Sequence, residues 1–191
     1  MSTNTSSIPS SSPPRPGKRV LVTVGTTEFP ELLETITQPR SQEALVRLGF
    51  TQMTLQHGST PLHHPDTTLL SLHAFPYTDD LEGEMAKVDL VVGHGGAGTI
   101  LETMQQGLPL LVVINPQLAD NHQAELVDAL EARGCLSKTT CRDLPALLDS
   151  WSVLPQHQAL APSSSSSSSS SAPHPFAALL THALCPPKHS E

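Results

Sequence analysis

The sequence predicts an α/β fold, a parallel sheet covered by helices on both faces. Two observations predict it. Short apolar runs rich in valine, leucine and isoleucine recur between Lys18 and Ser150, and helix-prone stretches separate them. Strands buried on both faces read as continuous apolar runs, and their alternation with helices is the mark of a parallel sheet with crossover connections.

The elements follow in order. Lys18–Val24 (KRVLVTV) is a β-branched strand ended by Gly25. Glu28 to about Leu48 reads as helix with a break at Pro39, which lacks a backbone donor. Thr51–Gln56 alternates and makes the second strand, and Thr67–His73 the third. Thr78–Lys87 is polar and helix-prone, and Val88–Val92 (VDLVV) is the fourth strand. Thr99–Gln106 is a helix stopped by Gly107 and Pro109. Leu110–Ile114 is the fifth strand, Ala119–Arg133 a helix ended by Gly134, Cys135–Ser137 a short sixth strand, and Leu144–Trp151 the last helix. The expected architecture is Rossmann-like, with ligands beyond the carboxyl ends of the strands.

Composition sets the domain plan. The chain has 191 residues, 15% charged and 3% aromatic, with 18 prolines. Two biased segments account for much of that bias. Residues 1–17 hold six serines and four prolines and read as a disordered tail, and residues 163–171 are nine consecutive serines. The plan is therefore a tail over 1–17, a folded domain over 18–150, a Ser/Pro-rich linker over 151–173, and a docking helix with its tail over 174–191. In that last segment Phe176, Leu179, Leu180, Ala183 and Leu184 make one apolar helical stripe.

A net charge of −8 argues against general nucleic-acid binding and against docking on anionic lipid through a basic surface. The longest apolar stretch, Leu108–Ile114, is far too short to span a bilayer, and the amino-terminal residues carry no apolar secretory core. Cys135, Cys141 and Cys185 are too few and too scattered for a disulfide framework, which fits a reducing cytosol.

Three loops at strand ends carry the chemistry. The strongest is Gly93-His94-Gly95-Gly96-Ala97-Gly98-Thr99, which follows the fourth strand and opens a helix. Glycines let a ligand approach the backbone, and the helix presents free N–H groups and a positive dipole end, which together seat a diphosphate. His94 is placed to donate to a phosphate oxygen, and Glu102, one turn on, to accept from ribose hydroxyls. Two other readings compete. Gly93, Gly95 and Gly98 match G-x-G-x-x-G, with Asp120 downstream, but that dinucleotide fingerprint belongs after a first strand. Alternatively the glycines serve helix–strand packing alone. The second loop, Gly25-Thr26-Thr27, suits a ligand-facing turn or an N-cap supplied by Thr26 or Thr27. The third runs from Asn115-Pro116-Gln117 to Asp120-Asn121-His122-Gln123. Its amides and imidazole suit sugar hydroxyls, unless Asp120 or Asn121 simply caps the helix.

Metal binding is not expected, because His57, His63 and His64 lack a carboxylate or cysteine at ligand spacing. Neither Cys135 nor Cys141 has an activating neighbour. No G-x-S-x-G or Walker lysine motif occurs.

VTVGTTEFPELLETI near the start and FPYTDDLEGEMAKVDLVVGHGGAGTILETMQQGLPLLVVINPQLADNHQAELVDALEARG further on, in that order, resemble a known family. It is that of the catalytic subunits of the UDP-N-acetylglucosamine transferase of the dolichol-linked oligosaccharide pathway, which carry a glycosyltransferase family 28 C-terminal-like domain. The resemblance covers most of residues 18–140. It implies a fold equivalent to the C-terminal half of a GT-B glycosyltransferase. It also implies inverting transfer of N-acetylglucosamine from UDP-N-acetylglucosamine to N-acetylglucosamine-diphosphate-dolichol, the second step of lipid-linked oligosaccharide assembly, with no cofactor required.

The implied partner is a separate membrane-anchored subunit that brings the acceptor and holds this chain at the cytosolic face of the endoplasmic reticulum. Carried over by motif, His94, Gly95, Gly96, Ala97, Gly98 and Thr99 would hold the diphosphate and Glu102 the ribose. Asn121, His122, Gln123 and Glu125 would lie near the donor sugar, with His122 the candidate general base. Gly25 and Thr26 would face the cleft between subunits. Residues 38–67, with Pro39 and the HGSTPLHHP stretch, depart from the family pattern and read as locally rebuilt. A regulatory module without turnover and a nicotinamide-dependent oxidoreductase are the alternative functions.

Overall fold

The computed structural model describes residues 17–62, 68–115 and 121–157. Its elements are β1 (Lys18–Thr23), α1 (Pro30–Thr37), α2 (Pro39–Arg47), β2 (Phe50–Gln56), β3 (Ser71–Phe75), α3 (Leu81–Met85), β4 (Leu90–Gly93), α4 (Ala97–Gln105), β5 (Leu110–Ile114), α5 (Asn121–Ala132), β6 (Ser137–Thr140) and α6 (Leu144–Ser150). The six strands form one sheet in the order β3-β2-β1-β4-β5-β6, and every pairing is parallel. This is the doubly wound order, with a topological switch between β1 and β4.

Alternate residues of β1 face opposite sides of the sheet. Val20 and Val22 join a core with Leu32 and Ile36 of α1, Leu45 of α2 and Leu148 of α6. Leu21 joins a second core with Met85 of α3, Ile100 and Met104 of α4, and Leu126 and Leu130 of α5. Burial on both faces explains why β4 and β5 read as unbroken apolar runs.

Pro39 does more than break a helix. It ends α1 and opens α2 at the first helical position, where its missing N–H costs nothing. Two side chains of α2 then bond carbonyls at the end of α1: Ser41 Oγ donates to Thr35 O at 2.7 Å, which also accepts from the Gln38 N–H, and Gln42 Nε2 donates to Thr37 O at 2.6 Å.

Three strands start later than expected. β4 begins at Leu90 rather than Val88, because the Val88 N–H turns back to Met85 O at 3.2 Å. The Leu69 N–H donates to Gln42 Oε1 at 2.7 Å, so β3 enters its ladder only at Ser71 and runs on to Phe75. The Cys135 N–H turns back to Leu130 O at 2.9 Å, closing the end of α5, so β6 begins at Ser137. Within residues 38–67, where distortion of the second and third strands is the concern, β2 forms over Phe50–Gln56. β2 and β3 keep an even parallel register from Gln52↔Ser71 to Gln56↔Phe75.

After α6, Trp151 and Leu154 pack on the first core. His157 Nδ1 accepts from the Leu110 N–H at 3.1 Å, and its Nε2 lies 3.1 Å from Ser137 Oγ. Among the described residues no helix is long and apolar enough to cross a membrane. The amino-terminal tail, His63 and His64, Pro116, Gln117 and Asp120, the serine run, the Phe176–Leu184 stripe and Cys185 lie outside the described residues.

Candidate functional site

The site is built at the switch point. β1 and β4 end side by side, with Thr23 paired to Gly93, and their chains leave toward opposite faces of the sheet. The crevice this leaves is floored by the loop after β1 and the loop after β4.

A slot for one imidazole connects those loops. Gly25 has φ +61°, and a Cβ on it would stand 2.9 Å from His94 Cε1. A Cβ on Gly96 would stand 2.7 Å from His94 Nε2. The ring of His94 is therefore accommodated because both neighbours are glycine. Burial pushes this imidazole below its ordinary pKa, with the Thr23 backbone pulling the other way. His94 is thus neutral at pH 7. Its Nδ1 is buried and has no hydrogen-bond partner among the described residues.

Immediately after it, α4 starts at Ala97 with Gly96 as N-cap and no side-chain cap. The first intrahelical bond is Ile100 N to Gly96 O at 3.0 Å, so the N–H groups of Ala97, Gly98 and Thr99 have no acceptor within the helix.

The glycines of the loop separate by purpose. A Cβ on Gly93 would meet Thr99 Cγ2 at 3.3 Å, and one on Gly95 (φ +88°) would meet Val112 Cγ1 at 3.2 Å and Val127 Cγ2 at 3.6 Å. Packing accounts for these two. Gly96 makes room for His94. Among the described residues nothing lies within 4 Å of a notional Cβ on Gly98, so none of them requires glycine there. The packing reading therefore covers only part of the loop.

Glu102 lies one turn into α4. Burial, and then the charge of Glu82 on α3, push its carboxyl above the ordinary value. Its Oε2 is buried without a hydrogen-bond partner among the described residues. Gln106 Nε2 donates to Glu82 O at 3.0 Å and holds α3 beside α4. Thr99 is buried, with its methyl toward Gly93, and its backbone N–H is one of the three with no acceptor within α4.

The structure brings Gly25, His94 and Gly96 into direct contact and seats Gly95 against α5 through Val127. Asn121, His122 and Gln123 form the first turn of α5 at the carboxyl end of β5, Gln123 one turn before Val127. Glu125 follows and is exposed. Thr26 is exposed in the loop after β1.

The N-cap alternative for this last loop is corrected. The N-cap of α1 is Phe29, with no side-chain cap bond, and the Thr27 hydroxyl instead donates to Val24 O at 2.7 Å. The chain makes a further turn before the helix, held where the Phe29 N–H donates to Thr60 Oγ1 at 3.3 Å.

Sequence reasoning missed Gln56. This buried residue at the end of β2 bonds both backbone groups of Gly25. The available signal was a long polar side chain closing an otherwise regular strand.

His57 Nδ1 sits 2.8 Å from Thr60 O, a bond within its own loop. Among the described residues no group of three or more metal-ligating side chains occurs. Cys135 and Cys141 are buried free thiols, and burial pushes Cys141 up to about 12.

The glycosyltransferase family 28 C-terminal domain matches residues 19–174. The chain belongs to that family. Among its relatives is the Homo sapiens UDP-N-acetylglucosamine transferase subunit ALG13, 43% identical over 129 residues, which cover 66% of this chain and 11% of the relative. The subunit ALG13 of Yarrowia lipolytica is 40% identical over 116 residues, 58% of this chain and 59% of the relative. That of Cryptococcus neoformans is 31% identical over 157 residues, 65% of this chain and 78% of the relative. The match thus spans about a tenth of the human relative and most of the Cryptococcus one.

Two solved structures share the fold of this family 28 domain. The NMR solution structure of ALG13 superposes with a TM-score of 0.56 at 22% identity, covering 73% of this chain and 89% of that one. The crystal structure of Acinetobacter baumannii MurG gives 0.57 at 20% identity, covering 71% and 40%. The six-stranded sheet is that of a GT-B C-terminal domain.

Proposed function

We propose that this chain is the donor-binding half of a two-subunit transferase. In this reading it moves N-acetylglucosamine from UDP-N-acetylglucosamine to N-acetylglucosamine-diphosphate-dolichol, the second step of lipid-linked oligosaccharide assembly. The observation that carries the reading is the uncapped start of α4, with His94 held beside it and, among the described residues, nothing within 4 Å of a Cβ on Gly98. The subunit named in the ALG13 relatives supports the donor and the existence of a partner.

Inverting transfer lines the acceptor hydroxyl up opposite the departing UDP, and negative charge grows on the diphosphate. The N–H groups of Ala97, Gly98 and Thr99 and the dipole of α4 are fixed in advance where that charge develops. His94, neutral, donates to the same oxygens. Glu102 accepts from the ribose hydroxyls, which orients the nucleotide. Asn121, Gln123 and Glu125 hold the donor sugar, while Gly25 and Thr26 face the cleft between subunits. The general base is His122 or a group of the partner. That partner is a membrane-anchored subunit that places the complex at the cytosolic face of the endoplasmic reticulum.

The test is transfer of labelled N-acetylglucosamine to the lipid acceptor in membranes, with this chain alone and with its membrane subunit. Product with both and not with either alone supports the reading. Binding of UDP-N-acetylglucosamine without product identifies a regulatory module instead. Displacement of a bound UDP probe by NAD would point to an oxidoreductase.

A further inference from the structure

We propose that Gln56 is a positioning residue for the donor site, holding the loop after β1 as the wall against which the His94 ring lies. The proposal rests on the donor-site reading above and adds to it a residue remote from the ligand.

Gln56 is 3% exposed, at the last position of β2. Its Oε1 accepts from Thr23 Oγ1 at 2.6 Å and from the Gly25 N–H at 2.8 Å. Its Nε2 donates to Gly25 O at 2.8 Å and to Pro76 O at 2.7 Å. A carboxamide offers two acceptor and two donor positions, and all four are used. The partners also fix its orientation, since the Gly25 N–H needs the oxygen and Pro76 O needs the nitrogen.

One side chain therefore ties together the ends of β1, β2 and β3. Gly25 is held by both its N–H and its carbonyl, which fixes the positive φ that this loop requires. A Cβ on the following Gly58 would meet Thr27 O at 3.0 Å and Gly25 O at 3.2 Å, so the loop after β2 packs directly on the same wall. On the other side of Gly25 lies the His94 ring, at the entrance to the glycine loop. The chain of contacts runs from Gln56 to Gly25 to His94, and from there to the N-terminus of α4.

The experiment uses the full chain. Gln56→Met keeps side-chain length and removes all four bonds. Gln56→Glu keeps the two accepted bonds and sets a carboxylate against the carbonyls of Gly25 and Pro76, so it serves if Gln56→Met does not fold. Met53→Ala, in the same strand and in the core, is the control for lost stability alone. Two readouts are taken: the imidazole titration of His94 by NMR, assigned with His94→Gln, and the affinity for UDP by calorimetry.

The expected result is that Gln56→Met moves the His94 titration up toward its ordinary range as water reaches the ring, and that either variant weakens UDP about tenfold. Met53→Ala should lower the melting temperature and change neither readout. Gln56 variants that behave like Met53→Ala overturn the proposal. If the unaltered chain binds no UDP, the donor-site reading fails by itself. The positioning of His94 by Gln56 is then decided by the titration alone.

Discussion

The imidazole of His94 occupies the space that a side chain on Gly25 would need, although the two residues belong to loops after different strands. A Cβ at Gly25 would stand 2.9 Å from His94 Cε1, and one at Gly96 2.7 Å from Nε2. Two glycines of this site admit a protein side chain, the proposed donor site asks Gly98 to admit a ligand, and substitution can tell the two jobs apart.

Gly25→Ala should cost both stability and binding. Its φ of +61° strains any L side chain by about 1–2 kcal/mol, and the methyl displaces the His94 ring. Gly96→Ala carries no such strain, because φ there is −62°, so it isolates the clash. Thermal melts should show Gly25→Ala the less stable of the two. Calorimetry should show both losing about tenfold or more in UDP affinity. Unchanged affinity in Gly96→Ala would mean that the His94 ring can move without consequence.

Gly98→Ala should do the opposite to the fold. Among the described residues nothing lies within 4 Å of the added methyl, and alanine favours a helix over glycine by up to about 1 kcal/mol. The melting temperature should hold or rise, while UDP and UDP-N-acetylglucosamine bind more weakly because the methyl enters the space through which a diphosphate reaches the backbone. A variant that is more stable and binds equally well would remove Gly98 from the site.

How much of this was legible in the sequence depends on the range of the interactions involved. The parallel order follows from local pattern, since runs such as Leu110–Ile114 announce burial on both faces. The starts of β3 and β6 do not, because they are set by the Leu69–Gln42 and Cys135–Leu130 bonds rather than by propensity. The glycine loop stands out through its place between a strand and a helix. The His94 slot does not, because its other wall is Gly25, in the loop after a distant strand. Gln56 is hidden for the same reason, since a polar residue at a strand end is ordinary until its partners are known.

Acid should destabilise the chain partly through His94. Its folded pKa lies below 6.5, so the folded state binds fewer protons than the unfolded one across the interval between them. Stability from this group is full above 6.5 and is lost as pH falls toward the folded value. His94→Gln should flatten the dependence of melting temperature on pH in that interval. A slope unchanged by the substitution would place the neutral, buried imidazole elsewhere than the slot.

Glu102 has the reverse sign and therefore gives the sharper test of function against stability. Its folded pKa is raised above the unfolded 4.5 by burial and by Glu82, so the folded state binds more protons and stability falls as pH rises through the interval between the two values. At neutral pH the ionised carboxylate is a burden on the empty fold. Glu102→Gln removes that burden, and its melting temperature should exceed that of the unaltered chain at pH 7, with the advantage fading below pH 4.5. In the proposed donor site the same substitution takes away the anionic acceptor for two ribose hydroxyls, where charged hydrogen bonds are worth about 1.5–3 kcal/mol. UDP affinity should therefore fall by at least tenfold, while uridine-free diphosphate, which lacks the ribose, binds as before. A carboxylate kept for packing would show the stability gain without the ribose-dependent loss. A Glu102→Gln chain that binds UDP normally would leave the carboxylate without a part in donor recognition.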